Sequence, residues 1–237
     1  GGRLRYVDPG TLNLHKGWLD MSSARYYFTT DGVTAKGWQQ IGTNYYYFDT
    51  ANFFGSTGGQ RIDNVAYNFN MDGSLRTGEL YWDWAYDGGR LRYIVPGTNQ
   101  LHKGWLLLGG AGYYFDTNGL SVKGSQRIDG AAYNFNNNFT LRTGELYWDW
   151  AYDGGRLRYV DPNTLDLKKG WLLLNGTGYF FDNNGLSVKG SQRIDNAAYN
   201  FNDNFTLRTG ELYWDWAYDG GRLRYVDPGT LNLHKGW

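Results

Sequence analysis

The stretch GGRLRYVDPGTLNLHKGW occupies residues 1–18 and returns unchanged at 220–237. Its opening GGRLRY also begins at Gly88 and Gly154, so the copies start 87, 66 and 66 residues apart. No feature constrains the fold more. A single globular core places its two termini in different packing environments and has no use for identical ones. Self-similarity of this kind means stacked supersecondary units, and the chain reads as a slice of a longer array.

Each copy divides again. Aromatic-rich strands centre on Tyr6, Tyr27, Tyr47, Tyr67, Tyr93, Tyr114, Tyr133, Tyr159, Phe180, Tyr199 and Tyr225, which gives eleven units of roughly 20 residues. The first copy carries one unit more than the others. In every unit an aromatic strand such as GYYFD precedes a Gly/Asn/Pro turn such as TNG or PGT, and a second short strand such as LSVKG ends at glycine. That pattern predicts a β-hairpin formed across the TNG or PGT turn. No 3.6-residue apolar period persists, and 35 of the 237 residues are glycine, so no helix is expected. One hairpin alone is marginal in water, whereas stacked hairpins cover one another's aromatic faces. The expected fold is all-β, a solenoid of about eleven hairpins. As domains, residues 1–237 form one repeat array, with superunits 1–87, 88–153, 154–219 and a partial 220–237.

Lys plus Arg and Asp plus Glu both number 23, which leaves no basic field for nucleic acid. The recurring arginines of RLR lie near acidic WDWAYD, so local pairing is the simpler expectation. The absence of cysteine excludes disulfide and thiol chemistry. No apolar run is long enough to span a membrane. No signal peptide is visible, as expected of a slice from within an array.

Catalysis finds little support. His15, His102 and His234 fill one slot of the HKGW motif, where the remaining copy has Lys168. Carboxylates recur in YFDTNG and WDWAYD, and a carboxylate pair can hydrolyse glycosides. An Asp beside a Gly/Asn turn more often caps that turn. A single catalytic pair is also hard to reconcile with the same residues in every copy. No GxSxG, P-loop or HExxH pattern occurs. The expectation is no catalytic residue, no metal and no cofactor.

Aromatic residues make up 19% of the chain, and GELYWDWAYD recurs at 78–87, 144–153 and 210–219. Strand alternation puts Trp82, Trp84 and Tyr86 on one face, with Tyr81, Asp83 and Asp87 on the other. Such rings serve either as core or as platforms in grooves between hairpins. Exposed rings suit the apolar C–H faces of sugars, or quaternary ammonium through cation–π attraction. The candidates are Trp82, Trp84, Trp148, Trp150, Trp214 and Trp216. The longer spacing before each GGRLRY predicts an extended connection, and a groove or kink, at 82–89, 148–155 and 214–221.

The stretches YYFDTNGLSVKGSQRIDGAAYNFN (113–136) and YFFDNNGLSVKGSQRIDNAAYNFN (179–202) resemble the glucan-binding repeats that flank Gram-positive glucansucrases. Related cell-wall-binding and choline-binding repeats share the GW and YYF elements, and the repeats of large clostridial toxins belong to the same superfamily. The resemblance covers all eleven units. It implies a solenoid in which each hairpin turns by about a third of a circle, so that three hairpins make one turn. It also implies sites in which an aromatic ring stacks on glucose while Gln and Lys bond its hydroxyls. Carried over, these are Tyr114, Lys123 and Gln126, then Phe180, Lys189 and Gln192. Phe180 stands where Tyr114 stood, so a phenol hydroxyl is not essential at both. Only GWQQIGTNYYYF (37–48) comes close to a choline-type box.

The resulting expectation is a non-catalytic, secreted or cell-surface module of a Gram-positive bacterium. It would bind an α-glucan such as dextran multivalently, as a monomer, and its parent would be a glucansucrase or a cell-wall hydrolase. The alternatives are a cell-wall anchor for choline, teichoic acid or peptidoglycan groups, an adhesin or toxin-type array for host glycans, and a plain spacer.

Overall fold

Two-residue connections with both residues at positive φ dictate the basic element of the fold. The computed structural model describes residues 2–22, 24–85, 88–151, 155–216 and 221–234. Asp63–Asn64, Asp129–Gly130, Asn175–Gly176 and Asp195–Asn196 all have φ between 48° and 82°. Turns of that type match the right-handed twist of flanking strands, and Asn, Asp and Gly tolerate the conformation best. They close hairpins whose strands are in full register, such as Gly124↔Phe135 through Ile128↔Ala131.

Twenty strands result, and no helix is present among the described residues. In chain order they are β1 (Gly17–Met21), β2 (Ala24–Phe28), β3 (Gly37–Ile41), β4 (Asn44–Phe48), β5 (Gly58–Ile62), β6 (Val65–Phe69), β7 (Leu80–Asp83), β8 (Arg90–Tyr93), β9 (Gly104–Leu108) and β10 (Ala111–Phe115). The series continues with β11 (Gly124–Ile128), β12 (Ala131–Phe135), β13 (Leu146–Asp149), β14 (Arg156–Tyr159), β15 (Gly170–Leu174), β16 (Thr177–Phe181), β17 (Gly190–Ile194), β18 (Ala197–Phe201), β19 (Leu212–Asp215) and β20 (Arg222–Tyr225). Each pairs with its chain neighbour in a two-stranded sheet, which confirms the all-β, hairpin-by-hairpin architecture. Backbone contacts fall into two compact units, Gly1–Leu106 with Tyr113–Val122, and Leu107–Gly112 with Lys123–Trp237.

The hairpins are out of phase with the sequence expectation. The aromatic strand pairs with the strand before it, across the two-residue turn. Beyond the aromatic strand, the TNG and PGT segments are closed by one bridge only, for example Phe115↔Ser121 or Ile94↔Leu101. Eleven such bridges occur among the described residues, one for each unit counted in the sequence. The chain then bonds back to the preceding hairpin: Gly55 N–H to Arg25 O at 2.7 Å in the first unit, Ser187 N–H to Leu157 O at 2.9 Å in the second. These links turn separate hairpins into a stack. A longer-range contact fits about three hairpins per turn, because Trp148 of β13 meets Phe205 two hairpins further along.

Apart from exposed Val7, the first residue of each bridge forms the core. In the first unit Phe28, Phe48, Phe69 and Ile94 are at most 4% exposed, and in the second Phe135, Val160, Phe181, Phe201 and Val226 are equally buried. Removing each such side chain from water stabilises the stack by about 1.5–3 kcal/mol. Several face fully buried Thr34, Ser121 or Ser187, whose small size admits the ring.

Candidate functional site

The WDWAYD hairpins differ from the others. Their strands are four residues long, and residues 84–89 separate β7 from β8 where two residues suffice elsewhere. The extended connection expected from the spacing therefore lies inside a hairpin. Residues 86–87, 152–154 and 217–220 of these loops, Tyr86 and Asp87 among them, lie outside the described residues.

Alternation works as expected on β7. Tyr81 and Asp83 point inward, whereas Trp82 points out. Buried Asp83 accepts from the Arg92 guanidinium with one oxygen and, with the other, from the Ala85 N–H at 2.9 Å. Arg92 also donates to the Asn118 carbonyl. Asp149 and Arg158 repeat this arrangement, with the Ala151 N–H at 2.8 Å and the Asn184 carbonyl, and Arg224 pairs with Asp215. The predicted local pairing of RLR with WDW is thus real. The first two pairs are desolvated, and each of these anchors the start of its loop, whereas Arg224 of the third is partly exposed.

The indoles are exposed. Trp82 and Trp84 are each 53% accessible, Trp148 58%, Trp150 56%, Trp214 66% and Trp216 55%. The first indole of each pair has a seat, because the second glycine of GGR lies under it. A Cβ on Gly89 would stand 2.0 Å from Trp82, on Gly155 3.0 Å from Trp148, and on Gly221 3.4 Å from Trp214. Trp148 also meets Phe205 edge-on at 5.8 Å. Phe205 is buried at φ 70°, a conformation that favours glycine, in the turn position where neighbouring repeats carry Gly119 and Gly185. Sequence reading missed Phe205 and its counterpart Phe139. The available signal was a bulky ring standing where other copies have glycine.

The remaining sequence candidates are spread over the two units. Tyr114 lies on β10 in the first unit, half-buried, with Trp105 edge-on at 5.1 Å. Lys123 and Gln126 belong to the second unit, where the Gln126 amide donates to the Lys123 carbonyl at 2.8 Å. Gln192 does the same to Lys189 at 2.7 Å, and Gln60 to Thr57 at 2.8 Å. Half of each amide's donor capacity is therefore spent on the turn, while its carbonyl oxygen stays available. Phe180 packs on Trp171 at 5.1 Å and against the core around Phe201 and Val226. The Lys189 ammonium faces Phe205 at 6.0 Å from the ring centre. Phe205 thereby links Lys189 to the Trp148 platform. Lys123 faces Phe139 in the same way. The histidines serve the scaffold: one ring nitrogen of His15 bonds the Trp18 carbonyl at 3.0 Å, and His102 bonds that of Trp105 at 2.9 Å. Asp116 and Asp182 cap their turns, each accepting two backbone N–H groups at 2.8 and 3.0 Å.

Aromatic trios packed against the core form a second class of ring cluster. Trp38 meets Tyr47 at 5.2 Å and Tyr67 at 5.0 Å, and Trp18 meets Tyr27 at 5.1 Å and Tyr46 at 4.9 Å. The two trios are not equivalent. The Arg25 guanidinium lies 4.2 Å over the Trp18 ring and donates to the Asp72 carbonyl at 2.8 Å. It lines a groove of about 710 Å³ with Trp18, Tyr46 and Gln60. Burial pushes the Tyr81, Tyr147 and Tyr213 phenols up, Tyr213 to about 12. They stay protonated, and Tyr147 and Tyr213 donate to the Ala132 and Ala198 carbonyls at 3.0 and 2.8 Å.

Residues 36–51, which contain the Trp38–Tyr47 pair, match the Choline_bind_1 family of cell wall binding repeats. Over 98% of its length the chain is 28% identical to Glucosyltransferase-S of Streptococcus mutans, of which it spans 14%. It is 30% identical to Toxin A of Clostridium novyi over 56% of its length, which is 6% of that protein. The chain therefore corresponds to a small part of the curated relatives it matches. Among solved structures, choline binding protein F from Streptococcus pneumoniae superposes with a TM-score of 0.50 at 20% identity, covering 98% of this chain and 90% of that one. That likeness concerns the fold of stacked hairpins. One stretch of this chain, residues 36–51, matches a cell wall binding repeat, and the chain along nearly its whole length is similar to a segment of Glucosyltransferase-S.

Proposed function

We propose that this chain is a non-catalytic carbohydrate-binding array that holds α-glucan of the dextran type at several points at once. The observation that carries this reading is the set of six indoles, each more than half exposed and each first member seated on a glycine. A protein does not expose six large rings at equivalent positions without a use for them. A pyranose ring offers an apolar C–H face to an indole and leaves its hydroxyls to Lys189, to the carbonyl oxygens of Gln126 and Gln192, and to water. Phe180 supplies further aromatic surface beside the turn that carries Lys189, and Tyr114 supplies a ring of the same kind in the first unit. One stacked ring and a few solvent-competed hydrogen bonds, worth about 0.5–1.5 kcal/mol each, make a weak site. Repetition makes the grip, since linked sites raise avidity by about 10²–10⁴. The three superunits and the partial fourth act together as one array, in a monomer, outside the cell of a Gram-positive bacterium and as part of a longer glucansucrase-type protein.

A second reading has its own support. Trp38 and Tyr47 lie in the segment that matches the cell wall binding repeat, and with Tyr67 they form a trio that suits a quaternary ammonium group. On that reading the chain is an anchor for choline-bearing wall polymers. Affinity electrophoresis separates the two. Dextran in the gel should retard the chain, the Trp148→Ala/Trp150→Ala variant should be retarded less, and free choline should leave both unchanged. Migration indifferent to dextran, with elution from a choline matrix by free choline, would establish the anchor instead.

A further inference from the structure

The second unit holds a pocket of about 390 Å³ that uses none of the six indoles. Its volume lies in the range of about 300–1,000 Å³ common to small-molecule sites. Three consecutive hairpins build it. Tyr133 of β12 is one wall, and buried Arg158 of β14 lies at its base. Asp129, from the two-residue turn between β11 and β12, and Lys169, just before β15, stand at its rim, with Asn183 and Asn184 completing it.

The chemistry of this lining is selective. Arg158 is already committed to Asp149 and to the Asn184 carbonyl, so it fixes the base without offering a free charge. Asp129 and Lys169 form no ion pair or side-chain hydrogen bond among the described residues, and the same holds for the side-chain amides of Asn183 and Asn184. The pocket therefore presents acceptors and donors side by side, around a half-buried aromatic wall, with the two rim charges opposite in sign. A cation would gain at Asp129 and lose at Lys169, and an anion the reverse. A neutral ligand with adjacent hydroxyls uses both, because a carboxylate accepts from neighbouring O–H groups while ammonium and amide groups donate to their oxygens. Tyr133 meets the C–H face.

The arrangement recurs. Asp63 and Arg92 stand beside Tyr67 as Asp129 and Arg158 stand beside Tyr133, and Asp195 and Arg224 stand beside Tyr199. Lys103 takes the place of Lys169 in the earlier copy, and Lys235 in the later one lies outside the described residues. We propose that this pocket is a second, hydroxyl-reading glucosyl subsite, chemically distinct from the indole platforms. It rests on the α-glucan reading and specifies how the sugar is told from other ligands.

Amide and indole NMR shifts of the full chain, titrated with isomaltotriose, test it. The Gly130 and Asn184 amides should shift and saturate alongside the indole N–H groups of Trp148 and Trp150. In the Asp129→Ala/Lys169→Ala variant, whose circular dichroism should match the parent, affinity read at Gly130 and Asn184 should fall about tenfold, the loss expected for two hydrogen bonds. The indole shifts should persist. Unmoved pocket amides with moving indoles would overturn the subsite and leave the glucan reading standing. Moving pocket amides with still indoles would keep the subsite and remove the platforms. If nothing moves, both fall. Shifts at Gly130 and Asn184 with choline chloride but not with isomaltotriose would overturn the neutral-sugar assignment.

Discussion

Three equivalent glycines lie under three equivalent indoles, and replacing each by alanine separates backbone cost from steric cost. Gly89, Gly155 and Gly221 have φ of 53°, 58° and 55°, so Gly→Ala pays the same left-handed penalty at each, about 1–2 kcal/mol. The space differs. The new Cβ would lie 2.0 Å from Cζ2 of Trp82, 3.0 Å from Cζ3 of Trp148 and 3.4 Å from Cζ3 of Trp214. Carbon atoms rest at about 3.5–4.0 Å, so Trp82 must swing by well over an ångström, Trp148 by a few tenths, and Trp214 hardly at all. Each ring is more than half exposed, so it can swing into water without opening the core. Stability should therefore fall by about the same 1–2 kcal/mol in all three. Only Gly89→Ala should displace its platform and weaken dextran retardation clearly. Urea unfolding followed by circular dichroism reads the first quantity, and fluorine NMR of fluorotryptophan-labelled protein reads the second. Equal displacement of all three indoles, or a loss at Gly89 several kcal/mol beyond that at Gly221, would refute the seat as described.

The buried ion pairs and phenols make sharper stability predictions. Asp149→Asn leaves the buried Arg158 guanidinium without a counter-charge and should cost about 3–5 kcal/mol in urea unfolding. Tyr147→Phe breaks the bond to the Ala132 carbonyl and should cost about 1 kcal/mol, whereas Tyr81→Phe should cost nothing or stabilise, because the buried Tyr81 hydroxyl has no partner. Both are read from the same unfolding curves, and an equal loss in the two variants would show that Tyr81 is bonded after all.

Much of this architecture is local, and so it was legible in the sequence. Eleven units, the all-β class and the extended WDWAYD connection follow from spacing, because each unit repeats its own turn chemistry. The pairing of Asp83 with Arg92 was also legible, since the two face the same side of one hairpin, nine residues apart. Hairpin phase was not. A period says how often strands alternate but not which neighbour each one pairs with. The choice fell to two-residue turns such as Asp129–Gly130, whose twist suits paired strands better than the longer TNG segments do. Candidate residues were legible as types: Trp148 was singled out for its ring and Lys189 through the resemblance to glucan-binding repeats. Their grouping was decided by stacking. Phe205 comes from two hairpins away, adopts a backbone conformation no sequence rule assigns to Phe, and joins Trp148 to Lys189. Arg25 over Trp18, the glycine seats and the Asp129–Lys169 pocket arise in the same way. Local hydrogen bonding determines what each repeat becomes, and only packing between repeats decides which side chains meet.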